Sequence, residues 1–108
     1  MRLRRLHRLI IRPEAEADVQ EAALWYQARE RGHGHEFLRA FKAAAAKIRR
    51  NPRLYPIVID RSRRALFRRF PYAVIYEIHR SEIVILACIH CARDPETWRQ
   101  RLPRRRES

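Results

Sequence analysis

The sequence has no long apolar run, and cysteine and glycine are almost absent from it. No uninterrupted apolar stretch approaches the ~20 residues that a helix needs to cross a bilayer. Charged residues also interrupt residues 1–8 too often to leave the apolar region of a signal peptide. We therefore predict a protein that does not enter the membrane, and we expect it in the cytoplasm.

The chain has only two cysteines, Cys88 and Cys91, which form a C-x-x-C motif. A structural zinc site needs four ligands, and no second cysteine pair follows. A redox motif of this spacing normally opens a helix, whereas this pair closes an apolar run typical of a strand. Residues three apart in a strand point to opposite faces. We therefore expect both thiols to be reduced and free of metal, and the sequence predicts no cofactor.

Acidic residues are scarce beside basic ones, with 12 Asp and Glu against 25 Lys and Arg and a formal net charge of +13. Nearly all the basic residues are arginine, and such a field favours a polyanionic partner. Arginine makes forked contacts to carboxylate as well as to phosphate, so an acidic protein segment would suit this surface as well as nucleic acid. A GC-rich genome would also produce this composition, so charge alone does not choose a partner.

Length and composition predict one folded domain. The chain has 108 residues, of which 46% are hydrophobic, which is enough for a core despite 34% charged residues. We assign residues 1–98 to this domain and residues 99–108 to a basic carboxy-terminal tail.

Two helices are predicted in the first half of the chain. Pro13 suits a first helical position and acidic residues follow it, so a helix should run to about Arg29. Both glycines lie in the polar segment 30–34, which should turn the chain. A second helix ends before Pro52, and its apolar stripe consists of Phe37, Phe41, Ala44 and Ile48. The short turn predicts an antiparallel helical hairpin.

Strand patterns flank this hairpin. Alternating apolar residues predict a first strand within residues 3–12, and β-branched and aromatic runs predict further strands at residues 57–59, 65–70, 72–78 and 83–89. Asp94-Pro95 could start a final short helix around Trp98. The sequence therefore predicts an α+β fold of order β-α-α-β-β-β(-β), with the helical hairpin packed on one face of a mainly antiparallel sheet and the other face free.

This order, together with four local phrases, resembles the RelE/ParE toxin superfamily from about Leu9 to Trp98. The phrases are PEAEAD at residues 13–18, IRRNPRLYP at 48–56, RALFRRFPY at 64–72 leading into VIY at 74–76, and HCARDP at 90–95. Each phrase alone is weak, but the four occur in register at intervals like those of the family.

The resemblance implies a toxin of a bacterial type II toxin–antitoxin pair. Such toxins are held silent in a hetero-oligomer by a cognate antitoxin, whose extended carboxy-terminal segment wraps around the toxin sheet and helices. RelE-like members cleave messenger RNA in the ribosome, whereas ParE-like members poison DNA gyrase. A basic nucleic-acid-binding module without toxicity is a third reading of the chain.

The residues expected for RNA cleavage are only partly present. Attack by the neighbouring 2′-hydroxyl needs a proton acceptor, a cation for the developing charge and a donor for the leaving oxygen. Resemblance to the nucleases assigns a basic strand position to Arg64, the carboxy-terminal arginine to Arg93, and the nearby aromatic to Trp98. We expect Arg93 to reach the uncovered sheet face beside Arg64. Leu66, however, occupies a second basic position, and Ala73 stands where the nucleases carry a central arginine.

Loss of that cation removes a contact commonly worth about 3 kcal/mol, so we favour a ParE-like binding inhibitor with gyrase as target over a RelE-like nuclease. Arg68, Arg69 or His90 could supply the missing group, since histidine titrates near neutrality. Otherwise Arg68 and Arg69 would be a solvated strand edge or antitoxin contacts, and His90 a structural residue at a strand end. Trp25 and Tyr76 are candidates for core packing or for contacts with antitoxin or nucleic acid.

Overall fold

A computed structural model describes residues 7–103 of the chain. The elements are β1 (Arg8–Ile11), α1 (Pro13–Arg29), α2 (His33–Arg50), β2 (Ile57–Ile59), β3 (Ser62–Leu66), β4 (Tyr72–His79), β5 (Glu82–His90) and α3 (Glu96–Arg99). The strands form one sheet of order β1-β5-β4-β3-β2, in which only the β1–β5 pair is parallel. The predicted α+β class and element order are confirmed. Residues 3–6 of the predicted first strand and 104–108 of the predicted tail lie outside the described residues.

The helical hairpin packs on one face of the sheet. α1 has the predicted bounds, and none of the helices within residues 7–103 is long and apolar enough to cross a membrane. The hairpin core joins Val19 and Phe37 from the helices to Val74, Tyr76 and Ile85 of the central strands. Burying a large apolar side chain contributes about 1.5–3 kcal/mol, so these contacts fix the position of α1 on the sheet.

The turn between the helices is shorter than predicted, because α2 already begins at His33. The side-chain oxygen of Gln27 accepts hydrogen bonds from the backbone N–H groups of Gly32 and Gly34, both at 3.1 Å. Gly32 has a φ of 90°, which favours glycine. A Cβ atom at Gly34 would lie 2.8 Å from the carbonyl oxygen of Ala23, so glycine is needed there for the close approach of the helices.

The strand predicted at residues 65–70 is wrong in its bounds, because β3 ends at Leu66. Phe67 and Phe70 are both buried in the helix-side core, although residues three apart in a strand would point to opposite faces. The chain buries both side chains on the same face by turning after Leu66. The N–H of Phe67 donates to the carbonyl oxygen of Tyr72 at 2.8 Å.

The sheet face opposite the hairpin is covered in part by the carboxy-terminal segment. Trp98 of α3 is only 3% exposed and packs on Ile75 and Ala87, with Leu102 beside it. The sheet face that we predicted to be free is therefore partly covered. Leu102, which we assigned to the tail, contributes to this packing.

Candidate functional site

One edge of β5 pairs with β4 along its whole length, whereas the other edge changes partner part-way. β1 pairs with β5 only from Glu82 to Ile85, since Pro13 then starts α1, whereas β5 continues to His90. Beyond Ile85 the carboxylate of Asp18 on α1 takes the place of a strand: its Oδ2 atom accepts a hydrogen bond from the backbone N–H of Cys88 at 3.0 Å. A side chain on α1 thus satisfies one backbone donor of β5 beyond the end of β1.

The same carboxylate anchors the carboxy-terminal segment. Arg101 pairs with both oxygens of Asp18, with Nη2 at 3.0 Å from Oδ1 and Nη1 bonded to Oδ2, and it also reaches the carbonyl oxygen of Leu86 at 3.4 Å. Asp18 and Arg101 are 17% and 29% exposed at their side chains. The hydrogen bonding of Arg101 to the Asp18 carboxylate, which accepts, raises the pKa of Arg101 above its ordinary value. This forked pair, which joins α1 to the end of the chain, is of the strong charge-assisted kind.

A cavity of about 480 Å³ opens beside this anchor, between α1, the end of β5 and the segment that follows β5. We call it the α1–β5 pocket. Its lining includes Asp18, Trp25, Tyr72, His90, Arg93 and Arg101. The volume falls within the range of sites that accept small molecules or the anchoring side chains of a protein partner.

Arg93 is the cation of the pocket that has no ion-pair partner among residues 7–103. The turn after β5 positions it: the N–H of Arg93 donates to the carbonyl oxygen of His90 at 2.9 Å, and the N–H of Ala92 donates to Nδ1 of His90 at 3.0 Å. His90 Nδ1 is therefore an acceptor, which leaves Nε2 to carry the proton of the neutral ring. Arg93 is exposed and forms no ion pair with any of residues 7–103.

Aromatic side chains form the wall of the pocket. Trp25 is 49% exposed, and the guanidinium of Arg29 lies 3.6 Å from its ring centroid, in a cation–π contact. Tyr72 packs edge-on against His90 with the ring centroids 5.2 Å apart. Burial raises the pKa of Tyr72, and the positive charge of Arg93 opposes that shift. The pocket therefore offers a neutral phenol, a tryptophan in a cation–π contact and an arginine that forms no ion pair with residues 7–103.

The comparisons with known proteins agree with this fold. Residues 9–95 match the family model described as the ParE toxin of the type II toxin–antitoxin system parDE. The chain belongs to the ParE toxin family. A solved structure described as a chromosomal ParDE TA system from P. aeruginosa has the same fold, with a TM-score of 0.60 and 16% sequence identity over 81% of this chain and 98% of that chain. A search of curated proteins found no match. The resemblance to the RelE/ParE superfamily is thus confirmed.

This ParE-family chain separates the residues expected to form a nuclease site. Arg64 pairs with Ile75 and Leu66 pairs with Ala73, so all four lie on the Trp98 side of the sheet. Arg93 instead lines the α1–β5 pocket at the sheet's edge. The expectation that Arg93 reaches the sheet face beside Arg64 is not met, because Arg93 follows the turn after β5 and lines the pocket between β5 and α1.

The remaining candidates fall into two groups. Trp98 and Tyr76 are core residues: Tyr76 is fully buried and its hydroxyl donates to the carbonyl oxygen of Pro52 at 2.5 Å. Arg68 and Arg69 are exposed in the loop between β3 and β4, outside the pocket. Of the eight predicted contact or catalytic residues, the structure brings Trp25, His90 and Arg93 together.

The cysteines lie in different environments. Cys88 is buried in the helix-side core, whereas Cys91 is exposed, and both are free thiols. Burial raises the pKa of Cys88, and the nearby Asp18 raises it further. Among residues 7–103 no group of three His, Cys, Asp or Glu side chains could hold a metal ion.

Sequence reasoning missed several residues of the site, among them Asp18, Tyr72 and Arg101. Asp18 was read as an acidic residue suited to a helix start, and Arg101 as part of a tail. The two are 83 positions apart, and no local spacing signals their pairing.

Proposed function

We propose that this chain is a growth-inhibiting toxin that acts in the cytoplasm by binding DNA gyrase, and that a cognate antitoxin neutralises it. Membership of the ParE toxin family supports the toxin assignment. The description of the similar P. aeruginosa structure as a ParDE TA system supports an antitoxin partner. The net charge of +13 favours an acidic segment in that partner.

The observation that carries a binding mechanism is the separation of Arg93 from Arg64. Cleavage of RNA needs an acid, a base and a cation within hydrogen-bonding reach of one phosphate. On the Trp98 side of the sheet, Ala73 is 1% exposed and packed, so its place offers neither a cation nor room for one. Among residues 7–103, the Ala73 position beside Arg64 therefore does not supply the cation that the nuclease reading needs.

The α1–β5 pocket has the character of a protein-binding site. Tryptophan, tyrosine and arginine dominate the binding energy of protein interfaces, and Trp25, Tyr72 and Arg93 meet in this pocket. Arg93 has no competing ion pair within residues 7–103, so a carboxylate of the target could bind it without displacing a partner.

Induction of the chain without antitoxin tests the proposal. We expect growth arrest with accumulating DNA breaks and intact messenger RNA, and we expect the purified chain to inhibit supercoiling by gyrase. Ribosome-dependent cuts in messenger RNA with intact DNA would replace this proposal with the nuclease reading. Normal growth together with tight binding of nucleic acid would favour the non-toxic module.

A further inference from the structure

The two helices of the hairpin carry opposite charge. α1 contains four acidic residues and one arginine, whereas α2 contains five Lys or Arg residues and one glutamate. The positive field of the hairpin therefore comes from α2, although the chain as a whole has a net charge of +13. A cationic face of this kind, beside a helix of the opposite sign, marks a defined place for a polyanion to bind.

The exposed side of α2 presents these cations in two rows. Successive residues of a helix are turned by about 100°, so Lys42 and Arg49 lie on one side of Ala46. Arg39 and Arg50 lie on its other side, and all five residues are exposed. We call this surface the α2 stripe. Because alanine is small, Ala46 leaves room for a partner between the two rows of cations.

The charges of the α2 stripe are available to a partner. None of its cations forms an ion pair with any of residues 7–103. Nε of Arg49 donates to the backbone carbonyl of His7 at 2.8 Å, which uses one of the five donors of its guanidinium. The acidic residue of α2, Glu36, lies 3.9 Å from His33 in the first turn of the helix. It therefore does not neutralise the stripe.

The composition of the α2 stripe favours phosphate over a protein partner. Protein interfaces take much of their binding energy from large anchors such as tryptophan and tyrosine. Among residues 7–103, α1 exposes Leu24 and Trp25, whereas α2 exposes no large apolar side chain. Single-stranded nucleic acid stacks its bases on aromatic side chains, which the stripe also lacks. Contacts to the backbone of a duplex need only cations.

The shape of α2 fits the major groove of B-form DNA. A helix with its side chains is about 10–12 Å across, and the major groove is about 12 Å wide. With Ala46 facing the groove, the cations on its two sides would reach the phosphates that border the groove. The major groove of A-form RNA is deep and narrow and would not admit the helix. The geometry therefore favours DNA over double-stranded RNA.

We propose that the α2 stripe binds the phosphate backbone of duplex DNA. Phosphate contacts carry no sequence information, so the binding would not depend on base sequence. The part that this contact plays in toxicity rests on the proposed function. The stripe would hold the toxin on the DNA that gyrase engages, while the α1–β5 pocket contacts the enzyme itself.

Two matched pairs of variants test the α2 stripe. The probe is a fluorescent DNA duplex of about 20 base pairs, or two helical turns, followed by anisotropy. Ala46→Glu places a negative charge between the cations without removing one, and Ala17→Glu makes the same change at an exposed position of α1. Arg39→Gln removes one cation of the stripe, and Arg61→Gln removes one from the exposed turn between β2 and β3.

We expect the parent chain to bind the duplex with a dissociation constant of about 10⁻⁴ to 10⁻⁶ M at physiological salt. Four phosphate contacts predict that log K falls with log salt with a slope of about −3.6, and Arg39→Gln should reduce its magnitude by about 0.9. Ala46→Glu should weaken binding by about tenfold or more, whereas Ala17→Glu and Arg61→Gln should bind within about twofold of the parent.

Equal affinities of Ala46→Glu and Ala17→Glu, in chains that circular dichroism shows to be folded, would overturn the proposal. A salt slope that Arg39→Gln leaves unchanged would do the same. Tighter binding of an RNA duplex or of a single strand would assign the stripe to that nucleic acid instead. Binding of an oligoglutamate peptide, with no binding of DNA, would assign it to an acidic protein.

DNA binding is measured on the purified chain without gyrase, so the outcome is separate from that of the proposed function. A chain that inhibits gyrase but does not bind the duplex would refute the role of the α2 stripe alone. A chain that binds the duplex through the stripe but does not inhibit gyrase would refute the gyrase proposal alone.

Discussion

Cys88 and Cys91 differ in the chemistry of their thiols, although only two residues separate them. Thiolates react with alkylating reagents, and burial raises the pKa of the Cys88 thiol. We expect a maleimide at about pH 8 to label one thiol rapidly in the folded chain and the second only after unfolding. Mass spectrometry should locate the first label on Cys91, and Cys91→Ser should abolish the fast phase. Equal rates for both thiols would contradict this placement.

Tyr76 couples stability to alkaline pH. Burial raises its pKa to about 12, with Arg63 opposing the shift, from a value near 10 in the unfolded chain. The protonated phenol is thus favoured in the native state, so its contribution is complete below about pH 10 and is lost as the pH rises towards 12.

Tyr76→Phe should lower the free energy of unfolding by about 1 kcal/mol at neutral pH, because the hydrogen bond to Pro52 is lost. The variant should also lose less stability than the parent chain as the pH rises above about 10. Urea denaturation across a pH series measures both effects. An identical alkaline decline in the two chains would show that Tyr76 is not its source.

At the scale of elements, Asp18 joins α1, β5 and the carboxy-terminal segment. Replacing it with alanine leaves the Cys88 N–H and the Arg101 guanidinium without their acceptor. We expect Asp18→Ala to lower the free energy of unfolding by about 2 kcal/mol. Glu21→Ala, an exposed acidic position on the same helix, should change it by less than about 0.5 kcal/mol. Equal effects of the two substitutions in chemical denaturation would refute the anchoring role.

The two tryptophans provide a test of how α3 covers the sheet. Trp98→Ala removes a 3% exposed side chain from Ile75 and Ala87 and should cost about 3 kcal/mol or more. Trp25→Ala changes a side chain that is 49% exposed and should cost much less. Thermal unfolding followed by circular dichroism compares them. A larger loss of stability from Trp25→Ala would mean that α3 does not cover the sheet in this way.

Local signals explain which elements the sequence predicted well. The Pro13 start and acidic first turn define α1, and Pro52 limits α2. The bounds of β3 were missed because Phe67 and Phe70 continue a strand-like run in composition, while their burial on one side requires a turn. The alternation of apolar and polar residues alone does not show which of several neighbouring aromatic side chains will be buried in the core.

At the scale of the whole molecule, the sequence patterns predicted the order of the elements, but not where the functional side chains meet. Asp18 and Arg101, which are 83 positions apart, pair to hold the segment that also carries Trp98. Such contacts between distant parts of the chain have no signature in sequence spacing. The fold therefore could be predicted, whereas the α1–β5 pocket needed the structure.

The central claim is that toxicity depends on the α1–β5 pocket and not on the sheet face that carries Arg64. Growth arrest after induction of Arg93→Ala and Arg64→Ala tests it most directly, because both residues are exposed arginines whose loss should change stability by only about 0.5 kcal/mol or less. We predict that Arg93→Ala relieves the arrest, while Arg64→Ala arrests growth like the parent chain at equal expression. Full toxicity of Arg93→Ala, or relief of the arrest by Arg64→Ala, would contradict the account.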